Sequence, residues 1–454
     1  MLPTLSTHGV RRASAVARSG ESSIATQTED VPRLSGLGKL AFASLLALAF
    51  AIPWEDAITI PGFGTSVRAI GVVTAGLGVL AIFEKGRIRR PAMGHFLLAL
   101  FVLVAAASYM WSLYPAGTLV QISTYVQLLT MVWLIWELAA RSEQQVQLMQ
   151  AYVLGTFVSG IDTIYQFLTH QESVYQRYAG TNLNPNDLGL MMALSIPVSY
   201  CLLLQSRGKM VWVYRLQLAV AGTTVILTAS RGATLATVVA LAIVPLTFGS
   251  LTESQKVAAV LTLVLLVSAV VVFAPQTSWE RLATLPAEFE RGTLNKRTQI
   301  WAAGWEIFRE HPLLGIGTNA FRVMVSRVLV EPIGLEELSP APPAHNTFLS
   351  VLVEQGVVGF VLFCTLLGCL AFSIGAMPAP LRQTWGVCSA VWLVGVSGLT
   401  WEMRKPTWFF FGLLMAQAAS WQRGTRAVRQ TNLSLKIDSP ASSPLQRPIP
   451  SPMP

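Results

Sequence analysis

The feature that most constrains this chain is a series of long apolar runs. Each continues for about 18 to 25 residues with few or no charges, the length an α-helix needs to cross roughly 30 Å of hydrocarbon. A chain inside hydrocarbon must satisfy its own backbone N–H and C=O groups, so such runs fold as helices. About twelve spans are expected, at roughly 37–53, 66–83, 93–111, 117–139, 146–168, 187–205, 211–229, 232–249, 256–274, 347–375, 382–401 and 406–421. The run at 347–375 is long enough to tilt or to extend beyond the bilayer. Only 12% of the 454 residues are charged and 53% are hydrophobic, against roughly 25% charged in soluble domains. The fold class is therefore an all-α integral membrane protein.

The net charge is +9. In a soluble protein that excess would raise the question of nucleic acid. Here membrane orientation explains it, because cytoplasmic loops collect Lys and Arg, and no nucleic-acid partner is expected. Lys85, Arg87, Arg89 and Arg90 follow the second span, Arg141 the fourth, and Arg207 and Lys209 the sixth. With an even number of spans, both terminal tails fall on that same side. The tails, 1–36 and 422–454, are basic and rich in Ser, Thr or Pro, and read as disordered cytoplasmic segments around a transmembrane domain at 37–421. Ala49-Phe50-Ala51 resembles a signal-peptide cleavage site, but about 36 residues precede the apolar run, too many for a usual n-region. The first span is read as uncleaved. Cys201, Cys364, Cys369 and Cys388 lie in apolar runs without metal or disulfide-framework spacing and read as small hydrophobes.

One outer loop, about 275–346, is far longer than the others. With seven basic and eight acidic residues it is near neutral. Phe321, Met324, Val325, Val328 and Leu329 follow helical spacing with one apolar face, and Ile300, Trp301, Trp305 and Phe308 suggest a second such helix. His311-Pro312-Leu313-Leu314-Gly315-Ile316-Gly317 between them reads as a breaker and turn. Such helices either lie in the interface, roof a cavity, or form a cap with no chemistry of its own.

Two shorter outer segments carry polar groups. Tyr175 to Asp187 contains Arg177 and the run Asn182-Leu183-Asn184-Pro185-Asn186. Its amides and aromatics suit sugar contacts or plain turn chemistry, and Asn186 or Asp187 is the expected helix N-cap. Ser230-Arg231-Gly232 is a turn between two spans, where Arg231 is either an interfacial anchor or a functional cation. Arginine suits phosphate, since its planar fork donates parallel hydrogen bonds and stays charged. Arg177, Arg231 and Arg297 at one membrane face have the chemistry to hold a lipid diphosphate. His345, where the long loop re-enters the membrane, has the chemistry of a general base. His8, His95, His170 and His311 lack such company. The sequence contains no zinc spacing, no acidic cluster suited to Mg²⁺ and no Gly-rich phosphate loop, so no cofactor or metal is expected. Asp162 and Glu354 sit within spans, where an acid is either functional or paired with a nearby arginine.

Four passages carry a family resemblance. They are Arg177-Tyr178-Ala179-Gly180 with Asn184-Pro185-Asn186; Ser230-Arg231-Gly232; Arg297 through Trp301 to Phe308 with His311 to Gly317; and His345-Asn346-Thr347-Phe348-Leu349 followed by Glu354-Gln355-Gly356. In their order, and in their placing around one large outer loop, the chain resembles the O-antigen ligase superfamily over roughly 40–421. That resemblance implies a metal-independent glycosyltransferase of the bacterial inner membrane, with about twelve spans and a large periplasmic loop. It implies an undecaprenyl-diphosphate-linked glycan as donor. The acceptor would be lipid A–core for a ligase, or a growing carrier-linked glycan for a polymerase of lipopolysaccharide or exopolysaccharide. Carried onto this chain, Arg231 and Arg297 bind the diphosphate and His345 activates the acceptor hydroxyl. Arg177, Asn184, Trp301 and Asn346 are expected to contact substrate. Two rival readings stand beside it: protein O-glycosylation, and a transporter or flippase of the same lipid-linked glycan. A transporter would tend to show inverted repeats or broken helices near the midplane, which the sequence does not suggest.

Overall fold

The computed structural model describes residues 34–62, 64–171, 177–257, 259–261, 263–264, 276–283, 297–333 and 342–437. The described chain is mostly helical. Its order is α1 Gly36–Ala51, a two-stranded hairpin (β1 Thr59–Ile60, β2 Gly64–Thr65), α2 Ser66–Lys85, α3 Met93–Ala107, α4 Pro115–Leu138 and α5 Ser142–Leu168. There follow α6 Pro185–Gln205, α7 Lys209–Leu227, α8 Arg231–Leu241, α9 Ile243–Thr247 and α10 Gln276–Ala283. The last are α11 Arg297–Glu310, α12 Phe321–Ile333, α13 Thr347–Gly375, α14 Ala379–Val396 and α15 Lys405–Ile437. Leu34–Ala418 forms one compact unit, and the end of α15 from Ala419 falls outside it.

Seven helices among the described residues are long and apolar enough to cross a membrane: those starting at Gly36, Ser66, Met93, Pro115, Pro185, Lys209 and Thr347. The expected span at 256–274 lies partly outside the described residues, as do most of both tails and parts of the 275–346 loop. α6 is the most enclosed, with 83% of its apolar window buried against neighbours. It is the central helix of the bundle, packed on α5, α7, α8 and α14.

At one end of the bundle, α4 holds the basic loop after α2. Lys85 pairs with the buried Glu137 at 2.9 Å, the Arg89 N–H donates to the same carboxylate at 2.6 Å, and the Arg89 guanidinium lies 3.6 Å from the centre of the Trp136 ring. A buried carboxylate with two donors and a cation is compensated for its desolvation.

A second hydrophobic cluster stands apart from the bundle core. Ile300, Ala303 and Ile307 of α11 meet Phe321 and Val325 of α12, with Ile316, Ala320, Ala344 and Val353. The two loop helices therefore fall where their apolar spacing placed them. Trp305 differs: it is 44% exposed. The buried stripe of α11 runs through 300, 303–304 and 307, and Trp305 faces away, its ring tilted against that of Phe308, with Arg309 over it.

Candidate functional site

The cap is locked to the membrane helices at a break in α13. Gly356 has φ +63°, and the helix changes direction there. The turn His311–Gly317 fills the break. Ile316 N–H donates to Val353 O at 3.1 Å, Gly317 N–H to Glu354 O at 2.9 Å, and Val357 N–H to Pro312 O at 2.9 Å. A Cβ on Gly315, whose φ is +69°, would stand 2.5 Å from the backbone carbonyl of Glu354. The two glycines let two backbones touch, which side chains would prevent.

Glu354 then takes a role other than an arginine pair. Its carboxylate accepts from Asn319 N–H at 2.8 Å and Phe321 N–H at 3.2 Å. It thus caps α12, whose first N–H groups lack helical partners and whose dipole favours a negative charge. Replacing it with Gln is expected to cost roughly 0.5–1.5 kcal/mol of local stability, the net scale of one hydrogen bond. Hydrogen exchange at the amides of 319–325 should accelerate; unchanged exchange would remove this capping role.

His345 sits at the entrance to α13 with a left-handed backbone, φ +49°. Trp301 Nε1 donates to Ala344 O at 2.9 Å, holding that entrance against α11. Asn346 is the N-cap of α13, its Oδ1 accepting from Leu349 N–H at 3.0 Å, while its Nδ2 reaches Ser397 O at 3.4 Å. Arg297 opens α11, and a Cβ on Gly398 would lie 3.1 Å from its Nη1. Burial, then the charges of Arg297 and Arg322, bring the His345 imidazole down to about 4. At neutral pH it is an uncharged ring with a lone pair to offer. Arg297, Trp301, His345 and Asn346 are therefore brought together, and Arg322 joins them from α12.

Arg177 and Arg231 belong to a second group. Arg177 Nε donates to Thr228 O at 2.8 Å and its Nη2 to Asn186 Oδ1 at 2.8 Å. Asn186 Oδ1 also accepts from Ser230 Oγ at 2.9 Å. Ser230 caps α8, of which Arg231 is the first residue. Arg177 thus clamps the 177–187 loop to the turn that presents Arg231. The helix cap of α6 is Asn184, not Asn186 or Asp187: its Oδ1 accepts from Asn186 N–H at 2.9 Å and Pro185 follows at the first helical position. Proline favours that position because its φ is already helical. Asp162 accepts from Thr181 N–H at 2.6 Å, anchoring this loop rather than pairing with an arginine among the described residues.

Trp401 to Arg404 bridges the two groups. Asp187 accepts from Trp401 Nε1 at 2.8 Å and pairs with Arg404 at 2.7 Å. Trp401 N–H donates to Thr347 Oγ1 at 2.8 Å, two residues past His345. Lys405 pairs with Glu55 beyond α1. Glu402 is buried, accepts from Ser350 Oγ at 2.7 Å, and has its other oxygen without a partner among the described residues. Burial pushes its carboxyl up to about 7. Sequence reasoning passed over Arg322, Trp401, Glu402 and Arg404, and took Asp187 only as an alternative helix cap. The signal for three of them was present, because Trp401-Glu402-Met403-Arg404-Lys405 is a charged run between two apolar segments on a face otherwise poor in Lys and Arg. Arg322 was masked by the apolar pattern around it.

Among the described residues, four of the five non-glycine residues with left-handed backbone, Asn182, Ala229, Asn319 and His345, fall in these same segments. Strained conformations persist where the surroundings over-determine them and gather at functional sites. Residues 216–364 match the model of the family described as O-Antigen ligase. That stretch, about a third of the chain, is similar to the O-antigen ligase family. The matched stretch starts within α7 and ends within α13. It contains Arg231, Arg297, Trp301, Arg322, His345, Asn346 and Glu354, and is narrower than the 40–421 over which the passages resemble the family. Arg177, Asn184 and the Trp401–Arg404 bridge lie outside it. No curated protein matches the chain.

Proposed function

We propose that this O-antigen ligase-family membrane protein transfers a glycan from an undecaprenyl-diphosphate carrier to an acceptor hydroxyl. The neutral His345 beside the cations Arg297 and Arg322 is the observation that carries the reading. In the step proposed, the acceptor oxygen attacks the anomeric carbon of the donor as the bond from that carbon to the diphosphate oxygen breaks. The hydroxyl proton passes to His345. Arg297 and Arg231 bind the diphosphate and stabilise the charge that grows on it as it leaves. Arg177 holds the loop that sets Arg231, and Trp301 and Asn346 hold the entrance to α13.

The same geometry gives the base a reason to be weak when the site is empty. Burial first, and then two guanidinium charges, hold His345 low. A bound diphosphate offsets them and lets the imidazole pKa rise toward its ordinary value, where a base works best near neutral pH. Donor binding thus arms the base.

The proposed setting is the bacterial inner membrane, with about twelve spans and both termini cytoplasmic. The basic loops at Lys85–Arg90, Arg141 and Arg207–Lys209 support that orientation. The site is then periplasmic, and the acceptor is lipid A–core or a growing glycan. The test is a reconstituted assay with labelled undecaprenyl-diphosphate oligosaccharide, chelator and no nucleotide. Lipid A–core, a second carrier-linked glycan and a peptide are offered in parallel. Label moving to one of the first two acceptors is the expected result and separates ligase from polymerase. Label on the peptide would make the protein an O-glycosylase. Labelled lipid crossing the bilayer intact, with no transfer, would replace the transferase reading with a flippase.

A further inference from the structure

Away from the candidate site, at the opposite ends of α6 and α7, a cavity of about 200 Å³ opens between helices. Its walls are mostly apolar, with Leu203 and Leu204 from α6, Leu218 from α7 and Val244 from α9, and Tyr200, Ser206 and Gln255 add uncharged polar groups. One polar side chain on the wall is charged: Arg215 of α7. It lies six residues past Lys209, the first residue of α7, so about 9 Å along the helix axis. Among the described residues Arg215 has no carboxylate partner and no hydrogen bond; its contact is the face of Trp212, 5.0 Å away. Trp212 itself is 68% exposed, as tryptophans at a membrane–water interface are. Arg207 and Lys209 sit in the loop just beyond.

An arginine set inside a membrane helix is costly without an anion. Here the protein supplies an apolar slot beside the charge. The slot is larger than the ~150 Å³ apolar cavities that take up benzene, and its charged edge lies near the N-terminal end of α7. We propose that this groove is a binding site for an anionic phospholipid, with Arg215 on the phosphate and one acyl chain between α6, α7 and α9. The occupant is a diacyl lipid rather than free phosphate, because the walls are mostly apolar and the single cation stands at their edge. The site is independent of the transfer reaction and involves none of its residues.

The test uses the full chain purified in a neutral detergent, with phosphatidylglycerol and phosphatidylcholine of identical acyl chains and, separately, inorganic phosphate. Native mass spectrometry counts retained lipid, and a thermal melt reads stabilisation. One phosphatidylglycerol is expected to bind about fivefold more tightly than phosphatidylcholine, the preference that ~1 kcal/mol per basic residue at an anionic surface provides. Arg215→Gln should abolish that preference and Arg215→Lys should retain it. Leu204→Trp, which fills the slot, should remove both lipids while leaving the monodisperse protein intact. Equal retention of the two lipids by the wild type would overturn the proposal. So would an unchanged preference in Arg215→Gln, or stabilisation by inorganic phosphate alone equal to that by phosphatidylglycerol.

Discussion

Replacing His345 with alanine is expected to lower glycan transfer by roughly 10²–10⁴-fold, the range that general-base catalysis contributes, with donor binding retained. The pH dependence should identify the group more sharply than the loss of rate. In the free protein the imidazole is held down to about 4 by burial and by Arg297 and Arg322. The acid limb of kcat/KM, which reports the free enzyme, should therefore lie near 4 rather than near the ordinary histidine value of about 6.5. The acid limb of kcat reports the complex, where the diphosphate offsets the two arginines, and should lie higher. Arg322→Gln removes one of the depressing charges and should move the kcat/KM limb upward. The same shift has a stability consequence. A histidine with a depressed folded pKa binds its proton more readily when unfolded, so stability is lost as pH falls through 6.5 toward 4. Full activity in His345→Ala would remove it from the base role; an acid limb at 6.5 unaffected by Arg322→Gln would show that the arginine field does not act on it.

The fold was legible wherever local periodicity decides the outcome. Apolar runs of bilayer length placed the seven helices, among the described residues, that are long and apolar enough to cross a membrane, and the i, i+3, i+4 spacing placed α11 and α12, because burial of one face follows from the order of side chains along a helix. Partner choice was not legible in the same way. Glu354 and Asp162 each had the option of an arginine, and both took backbone N–H groups instead. Those donors exist only once two distant segments have packed and left helix ends or turns unsatisfied. Likewise Asp187 and Arg404 stand more than two hundred residues apart in sequence, and nothing local links them. The catalytic candidates fell between these cases. His345 and Arg297 were nominated by residue type, His345 from the end of the long loop and Arg297 from within it. That Arg322 completes the group depends on the direction in which α12 leaves the Gly317 turn, and side-chain spacing does not encode that direction.

That dependence makes Gly315 the position where a single methyl group should do the most damage. At Gly315→Ala the new Cβ would meet the carbonyl carbon and oxygen of Glu354 at 2.5 Å and the amide nitrogen of Gly356 at 2.6 Å. All three are backbone atoms, so no side chain can swing away to relieve the contact. The left-handed φ of +69° adds a conformational penalty of about 1–2 kcal/mol for any L-residue, on top of the roughly 1–3 kcal/mol typical of overpacking. Relief requires the His311–Gly317 turn to lift from the break in α13. Lifting it would pull the Ile316 and Gly317 amides from their acceptors and take Asn319 and Phe321 away from Glu354. α12 would lose its cap, and Arg322 its place beside His345. The expected result is a protein that still inserts, since the apolar runs are unchanged in sequence, but whose cap is cleaved readily by protease and whose transfer activity falls with it. Gly368→Ala, also in α13, meets nothing within 4 Å and should leave both readouts at the wild-type level. Protease resistance of the cap equal to wild type in Gly315→Ala would mean that the turn and the helix break do not hold the loop helices in register.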